Sequence, residues 1–563
     1  MTHPRLSSAE IDSLTAAVLH GTASATQVEQ LERLLATDAT LRARYLDQAL
    51  LHAQLAATPL AAGVNNRTRL VAETLVSAGA AAVGPATRPL PMAAGQLLRG
   101  GLVLLAAAAV LTLMVLPRRG FDQPAAALPQ DATGVVATAG GYDNRQLPAE
   151  TVGLLTSQKT GSPHPLLRTT LAAGETANRL TTTSGAAVEV DAPGLFGLIS
   201  GGSGALFRGG ARARVNEPEQ TYSIESGNLR VVDLGTEFRV NRIDDDHVAV
   251  TVLDGEVEVQ SRVRLPLAHW SFADFTAETR ASTDAVHGLK AVAASAVKPS
   301  AGQVGAAVHF DNSREAFLRV GGGTGEKVGT GLLSFSTGIS IEALIVPAWN
   351  GEAFDYDEIW RKEDGNSRVL LSFQHDGEQN AAYSVPRVEP GPCLSFGLQL
   401  TQPGAGGLRY DELDMPLDGR EGRPSLAELT DGQPHHVVAT FDSFNGVKAI
   451  FIDGSLRFSH RYPEGSLIVS GGPAAAFIGS NRGGENFTGS IDELSLYAFA
   501  LSPDEVADHH RRLLNGKPAV PEAAFAPAPQ AASLSENRHW QAVTRLVAGE
   551  SRIFNQRTGF PID

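Results

Sequence analysis

The chain has 563 residues, with 46 Lys and Arg against 61 Asp and Glu and a net charge of −15. The acidic excess lies after residue 119, which excludes nucleic acid and anionic membrane surfaces as favoured partners of that part. Cys393 is the only cysteine, so no intramolecular disulfide can form.

In chain order, Ser7-x-x-Glu10 and Thr26-x-x-Glu29 are capping-box patterns. Ile11, Leu14 and Val18 follow the first at helical spacing, and Val28, Leu31, Leu34 and Leu35 follow the second. A third helix is expected from near Asp38 through His52. Three short amphipathic helices in residues 1–57 make a unit with little core of its own. Leu31 and Leu34 are the candidate contacts for a partner helix laid in an apolar groove. His20 and His52 stand alone, without a second ligand at metal-binding spacing. Residues 58–99 are rich in Ala, Gly and Pro and read as a flexible linker. Gly100–Pro117 is an uncharged run flanked by Arg99 and Arg118-Arg119. As a helix it spans roughly 27 Å, the thickness of a bilayer core, and it begins too late to be a signal peptide. It predicts one transmembrane helix. The flanking arginines balance, so they do not set its orientation.

Residues 131–262 predict short antiparallel strands. Phe238 and Val240 alternate with polar neighbours, as do Val248, Val250 and Val252. Asp244-Asp245-Asp246 supplies one turn, and Asp254-Gly255 before Val257 and Val259 is a strong hairpin signal. The carboxylates Asp233, Glu237, Asp254, Glu256 and Glu258 are expected to be solvated rather than catalytic. Across Val232–Phe238 (VDLGTEF) and Val252–Val259 (VLDGEVEV) the chain resembles the FecR family, membrane-bound regulators of extracytoplasmic-function sigma factors. Glu189–Gly194 is similar to a strand-turn of that family. The resemblance implies a cytoplasmic anti-sigma segment in residues 1–57, hence an extracytoplasmic-function sigma factor as partner. It places this β domain outside the cytoplasmic membrane, although the tryptophans usual in the N-terminal segment of better-known members are absent.

Residues 268–512 predict a two-sheet sandwich, with strands at 338–347, 436–441, 447–452 and 489–497 and a short helix capped at Ser502-Pro503. The stretches HWSF (269–272), ISIEALIVP, HHVVATFD, FIDG and FTGSIDELSLYAFALSPDEVADHH resemble the laminin-G/concanavalin A-like jelly roll in sequence order. That resemblance implies binding of glycans or proteins, sometimes through Ca²⁺, without catalysis. Asp311, Asn312, Asp355, Asp357 and Asp442 are loop-borne candidates for calcium, with no spacing that unites them. Asp492-Glu493 superficially resembles the acidic strand of glycoside hydrolases, but adjacent residues point to opposite faces of a strand. No same-face carboxylate pair is recognised here, so no catalytic residue is assigned. The runs Gly321–Gly325 and Gly201–Gly204 lack the Lys-Ser/Thr of a phosphate cradle and read as loops. Residues 516–563 read as a Pro/Ala-rich linker and a tail in which Trp540, Val543, Leu546 and Val547 stand at helical spacing.

The expectation is thus a multidomain, mainly β protein of the cytoplasmic membrane. A short helical segment lies inside, one helix crosses, and a FecR-type domain and a jelly roll face outward to meet a glycan or protein ligand. The rival reading is a structural or adhesive envelope protein with no sigma-factor partner.

Overall fold

The computed structural model describes residues 153–156, 163–166, 168–174, 177–215, 221–321, 325–365, 367–377, 383–403, 408–525 and 539–562. The helical segment with Leu31 and Leu34, the linker and Gly100–Pro117 lie outside the described residues. Among the described residues no helix is long and apolar enough to cross a membrane. They belong to one compact unit, Ala125–Asp563, that is almost entirely β.

The first domain is a fourteen-stranded sheet doubled over on itself. Its long strand Ser203–Arg214 turns at Gly209, so its first half pairs with Gly194–Ser200 and its second half with Ala187–Val190 and Glu237–Arg242. Between the layers lie Phe196, Leu206, Phe238, Val250, Val257 and their neighbours. The apolar alternation places them there: Phe238 and Val240 point inward while Arg239 and Asn241 are exposed. Asp244 closes the expected hairpin by accepting from the backbone N–H of Asp246 and His247, each at 2.8 Å.

Asp254-Gly255 does not make a hairpin. His247–Asp254 pairs with Glu237–Arg242, whereas Glu256–Arg262 pairs with Leu229–Asp233 in the other layer. Gly255, at φ +76°, is the corner where the chain changes layers, and a Cβ there would lie 2.5 Å from the Gly235 carbonyl.

The tail is not helical either. Trp540–Val547 is a strand paired antiparallel with Glu256–Arg262, and Ser551–Asn555 is a strand paired with His247–Asp254. The tail follows the bent strand pair around its corner, where Ala548 N–H donates to Gly255 O at 2.9 Å. Leu546 and Phe554 enter the core of the first domain. The first domain is therefore discontinuous. It leaves off after Arg262, and the chain returns to complete it after roughly 280 residues.

The intervening chain forms an eight-stranded and a nine-stranded sheet packed face to face. The predicted strands appear as Gly338–Pro347, His435–Asp442, Val447–Ile452 and Thr488–Tyr497. Trp270, Trp349 and Trp360 are buried between the sheets. The expected helix is Pro503–Leu514, with a reciprocal Ser502/Glu505 capping box.

Arginines on both sides of the boundary join the two parts. The Arg168 guanidinium donates to the carbonyls of Phe335, Ile468 and Gly329 at 3.0, 2.8 and 3.1 Å, and to Ile199 at 3.1 Å. Arg264, just past the end of the first domain, reaches Glu505 at 2.8 and 2.5 Å and the Ala500 carbonyl at 3.1 Å, and donates across the boundary to Asn228 Oδ1 at 3.5 Å. Leu195, Ile199 and Phe207 pack on Leu467, with Phe444 against them. A contact built from a buried cation on several carbonyls holds one geometry, because loosening it strands every partner.

Candidate functional site

The outer face of the nine-stranded sheet carries an ordered polar grid. Ser367–Gln374, Cys393–Thr401 and Leu408–Pro416 are adjacent antiparallel strands. Val369, Leu371 and Phe373, then Leu394, Phe396 and Leu398, then Leu413 and Met415 turn into the core. Period-two alternation turns Arg368, Ser372, Ser395, Gln399, Tyr410, Glu412 and Asp414 to the other face. The ladder aligns Glu358, Ser372, Ser395 and Asp414 in one row, and pairs Glu363 with Arg368 and Gln399 with Tyr410. Gly397 lies between Ser395 and Gln399 because a Cβ there would meet the Tyr410 hydroxyl at 2.0 Å.

Ser395 Oγ donates to Asp414 Oδ1 at 2.5 Å, and Tyr410 OH to Glu412 Oε1 at 2.7 Å. The Arg368 guanidinium lies 4.8 Å from the centre of the Tyr410 ring and reaches Glu363 at 3.2 Å. Glu363 and Glu358 both hold Arg361. Burial pushes the Glu412 carboxyl up to about 7, with the Asp414 charge adding to it, and pushes Glu358 up to about 8. Tyr383, 49% exposed, packs edge-on to Tyr410 at 5.3 Å. Ser372, Ser395, Gln399, Glu412 and Asp414 are buried, so the groups open to a ligand are the exposed Tyr383 ring and the half-buried Tyr410 and Arg368 beside it, which suit a hydroxyl-rich ligand that stacks on a ring.

Glu412 and Asp414 correct the sequence reading, which recognised no same-face carboxylate pair. The alternation of Leu413 and Met415 with Glu412 and Asp414 was the available signal. Asp492 and Glu493 form no pair across a cleft. The pairing of Thr488–Tyr497 with Gly338–Pro347 shifts between Glu342 and Leu344, and Glu493 has φ +51° at this irregularity. Both carboxyls are buried, at 4% and 3% exposure. Asp492 accepts from Val304 N–H at 3.0 Å, and Glu493 lies 3.6 Å from His269 Nε2.

Two of the five acidic residues expected to be solvated are buried. Asp233 accepts from Thr236, and burial raises its carboxyl. Glu258 accepts from Gln260 at 2.6 Å and lies 3.5 Å from Arg545 of the returning tail, which covers it. The calcium candidates do not converge. Asp311 is occupied by Ser313, Asp355 by the Trp349 indole N–H at 3.1 Å, Asp357 by Thr488 N–H at 2.7 Å, and Asp442 by Phe444 N–H at 2.9 Å. Asn312 is exposed. Among the described residues no group of three or more His, Cys, Asp or Glu is placed to hold a metal ion.

Residues 201–258 match the family described as FecR protein, and residues 363–507 match the concanavalin A-like lectin/glucanases superfamily. The chain is 30% identical over 104 residues to "Sushi, von Willebrand factor type A, EGF and pentraxin domain-containing protein 1" of Rattus norvegicus, and 28% identical to that of Mus musculus. The match covers 17% of this chain and spans about 3% of the length of those relatives. Among solved structures, domain 4 of AbnA, a GH43 extracellular arabinanase from Geobacillus stearothermophilus, is 19% identical over 43% of this chain and 97% of its own, with a TM-score of 0.28. A SAP-like pentraxin from Limulus polyphemus is 15% identical over 38% and 84%, with a TM-score of 0.23. These scores are too low to bear on function. The two family matches fall on the discontinuous first domain and on the sandwich inserted in it, and together they identify the chain as a FecR-type protein with a laminin-G-like, concanavalin A-like domain in its C-terminal half.

Proposed function

We propose that this protein is a single-pass regulator of the cytoplasmic membrane that senses a ligand outside and answers through a sigma factor inside. Gly100–Pro117 crosses the membrane with the N-terminus cytoplasmic. Residues 1–57 bind an extracytoplasmic-function sigma factor through Leu31 and Leu34. The jelly roll binds a glycan or protein ligand on the surface around Tyr383, Tyr410 and Arg368, above the buried Glu412 and Asp414, without turnover. The insertion of the jelly roll within the FecR-type domain carries this reading. Ligand strain on the jelly roll has a direct route into the first domain through Arg168, which holds the Ile468 carbonyl, and through Arg264, which reaches Asn228.

Co-purification from a cell lysate tests the inner half. The full chain is expected to capture a sigma factor, and Leu31→Asp with Leu34→Asp to abolish capture. A wild-type chain that captures none would leave the structural or adhesive envelope protein as the better reading.

A glycan array run with and without EDTA, paired with a reducing-sugar assay, tests the outer half. Binding is expected in the micromolar to millimolar range, about −8 to −4 kcal/mol. Tyr383→Ala is expected to weaken it about tenfold, the loss of one stacked ring. Release of reducing ends that disappears in Glu412→Gln or Asp414→Asn would make the domain an enzyme.

A further inference from the structure

A cleft of about 270 Å³ opens where three distant parts of the chain meet. The first domain contributes Glu225, Arg230 and Arg262, the jelly roll His287 and Thr337, and the returning tail His539 and Trp540. We propose that this cleft binds a small hydroxylated carboxylate, with the size and chemistry of a single sugar acid.

Arg262 carries the argument. Its side chain is only 6% exposed, yet its guanidinium makes just two long hydrogen bonds, to Glu225 at 3.2 Å and to the Ala498 carbonyl at 3.4 Å. Charge-assisted bonds are normally about 2.7–2.9 Å, and a buried cation ordinarily uses its donors fully. Arg230 spends Nε and Nη2 on a single acceptor, Gln260 Oε1, at 2.8 and 2.6 Å. Both guanidinium groups lie over the Trp540 ring, at 4.1 and 4.7 Å, so the tail fixes them side by side. One carboxylate, Glu225, faces both cations and is shared with Thr337 Oγ at 3.3 Å.

Unspent donors on two fixed cations suit one more oxyanion, which planar guanidinium groups bind in a fork. His287 adds a second requirement. Its Nδ1 meets the Leu267 carbonyl at 2.8 Å and so carries the proton, leaving Nε2 to accept from a ligand hydroxyl. The volume equals about nine waters, room for one sugar ring. A ligand here touches both domains and the tail at once, so it would stabilise their closed arrangement by mass action.

Calorimetric titration of the full-length protein with galacturonate, galactose and inorganic phosphate tests the proposal. Galacturonate is expected to bind, with galactose and phosphate each at least about tenfold weaker, and to raise Tm. Arg230→Met should cost about tenfold or more in galacturonate affinity, the loss of a charge-assisted bond, with the unliganded Tm retained. If that variant melts early, His287→Phe decides in its place, with a smaller loss expected. Absence of galacturonate binding, equal binding of galactose, tighter binding of phosphate, or unchanged affinity in the deciding variant would each overturn the assignment. Arg230 and the jelly-roll grid lie on different domains, so binding at one is told from binding at the other.

Discussion

A chain ending before residue 539 is expected to lose the folded first domain while the jelly roll still melts cooperatively. Truncation removes both strands of the tail and the buried side chains Leu546 and Phe554. It also uncovers Val257 and Val259 and leaves two strands, His247–Asp254 and Glu256–Arg262, each with an unpaired edge. Phe554→Ala alone is expected to cost about 3–5 kcal/mol, a large share of the roughly 5–15 kcal/mol that holds a typical domain together. Thermal scans and limited proteolysis of the full and truncated chains check this. Two transitions in the full chain and one in the truncated chain is the expected pattern. A truncated protein that keeps both transitions and resists protease across residues 168–262 would refute it.

Glu493→Gln is expected to stabilise the protein at pH 8.5 by about 1–3 kcal/mol and to change nothing at pH 4. Burial, reinforced by the charge of Asp492, pushes the Glu493 carboxyl from its ordinary 4.5 up to about 8. The folded state holds the proton more tightly than the unfolded chain does. Stability therefore falls as the pH rises from about 4.5 through about 8, and the loss is complete above that window. Each pH unit by which the proton is held longer is worth about 1.4 kcal/mol, and water drawn in by the ionised carboxylate recovers part of it. Glutamine has no proton to lose. His509 adds a second loss in the same direction. Burial works against its charge, but the Glu342 carboxylate 2.9 Å away wins and raises it. Its contribution is full below its ordinary 6.5 and fades as the pH rises past its raised value. Both proteins share that loss, so it cancels in the difference of their Tm values. Equal Tm differences at pH 4 and pH 8.5 would show that the Glu493 proton is not held by the fold.

Where an apolar alternation faces a core formed by nearby chain, the sequence reading was sound. Phe238 and Val240, Val248 through Val252, and Gly338–Pro347 all adopt the expected strands. The tail misled because its partner strand lies roughly 280 residues upstream. Trp540 and Leu546 are its buried residues, but the pairing slips by one residue at Val543, so Leu546 enters the core while Trp540 faces Arg230 and Arg262; the slip broke the period-two signal, and Val543 and Val547 completed a helical spacing by chance. At Asp254-Gly255 the local signal for a sharp bend was right, and only the partner was wrong. Leu408–Pro416 was passed over because Asp and Glu are depleted in strands, which hid the grid that makes the sheet face a candidate site. The cleft was beyond reach, since it is assembled from Arg262, His287, Thr337 and Trp540, whose proximity no local pattern encodes.

The insertion also sets a clock on biosynthesis. The jelly roll can form its sheets as soon as its own residues emerge, whereas the domain that begins before it must wait for Phe554. At about 5–20 residues per second, the interval between Val257 and Leu546 is roughly 15–60 s. During that time an incomplete sheet with two open edges exists on every nascent chain, long enough for a chaperone to engage it and for a protease to sample it. The first domain thus reports that synthesis has passed the jelly roll: only a chain that has already made its inserted domain can close the domain that surrounds it.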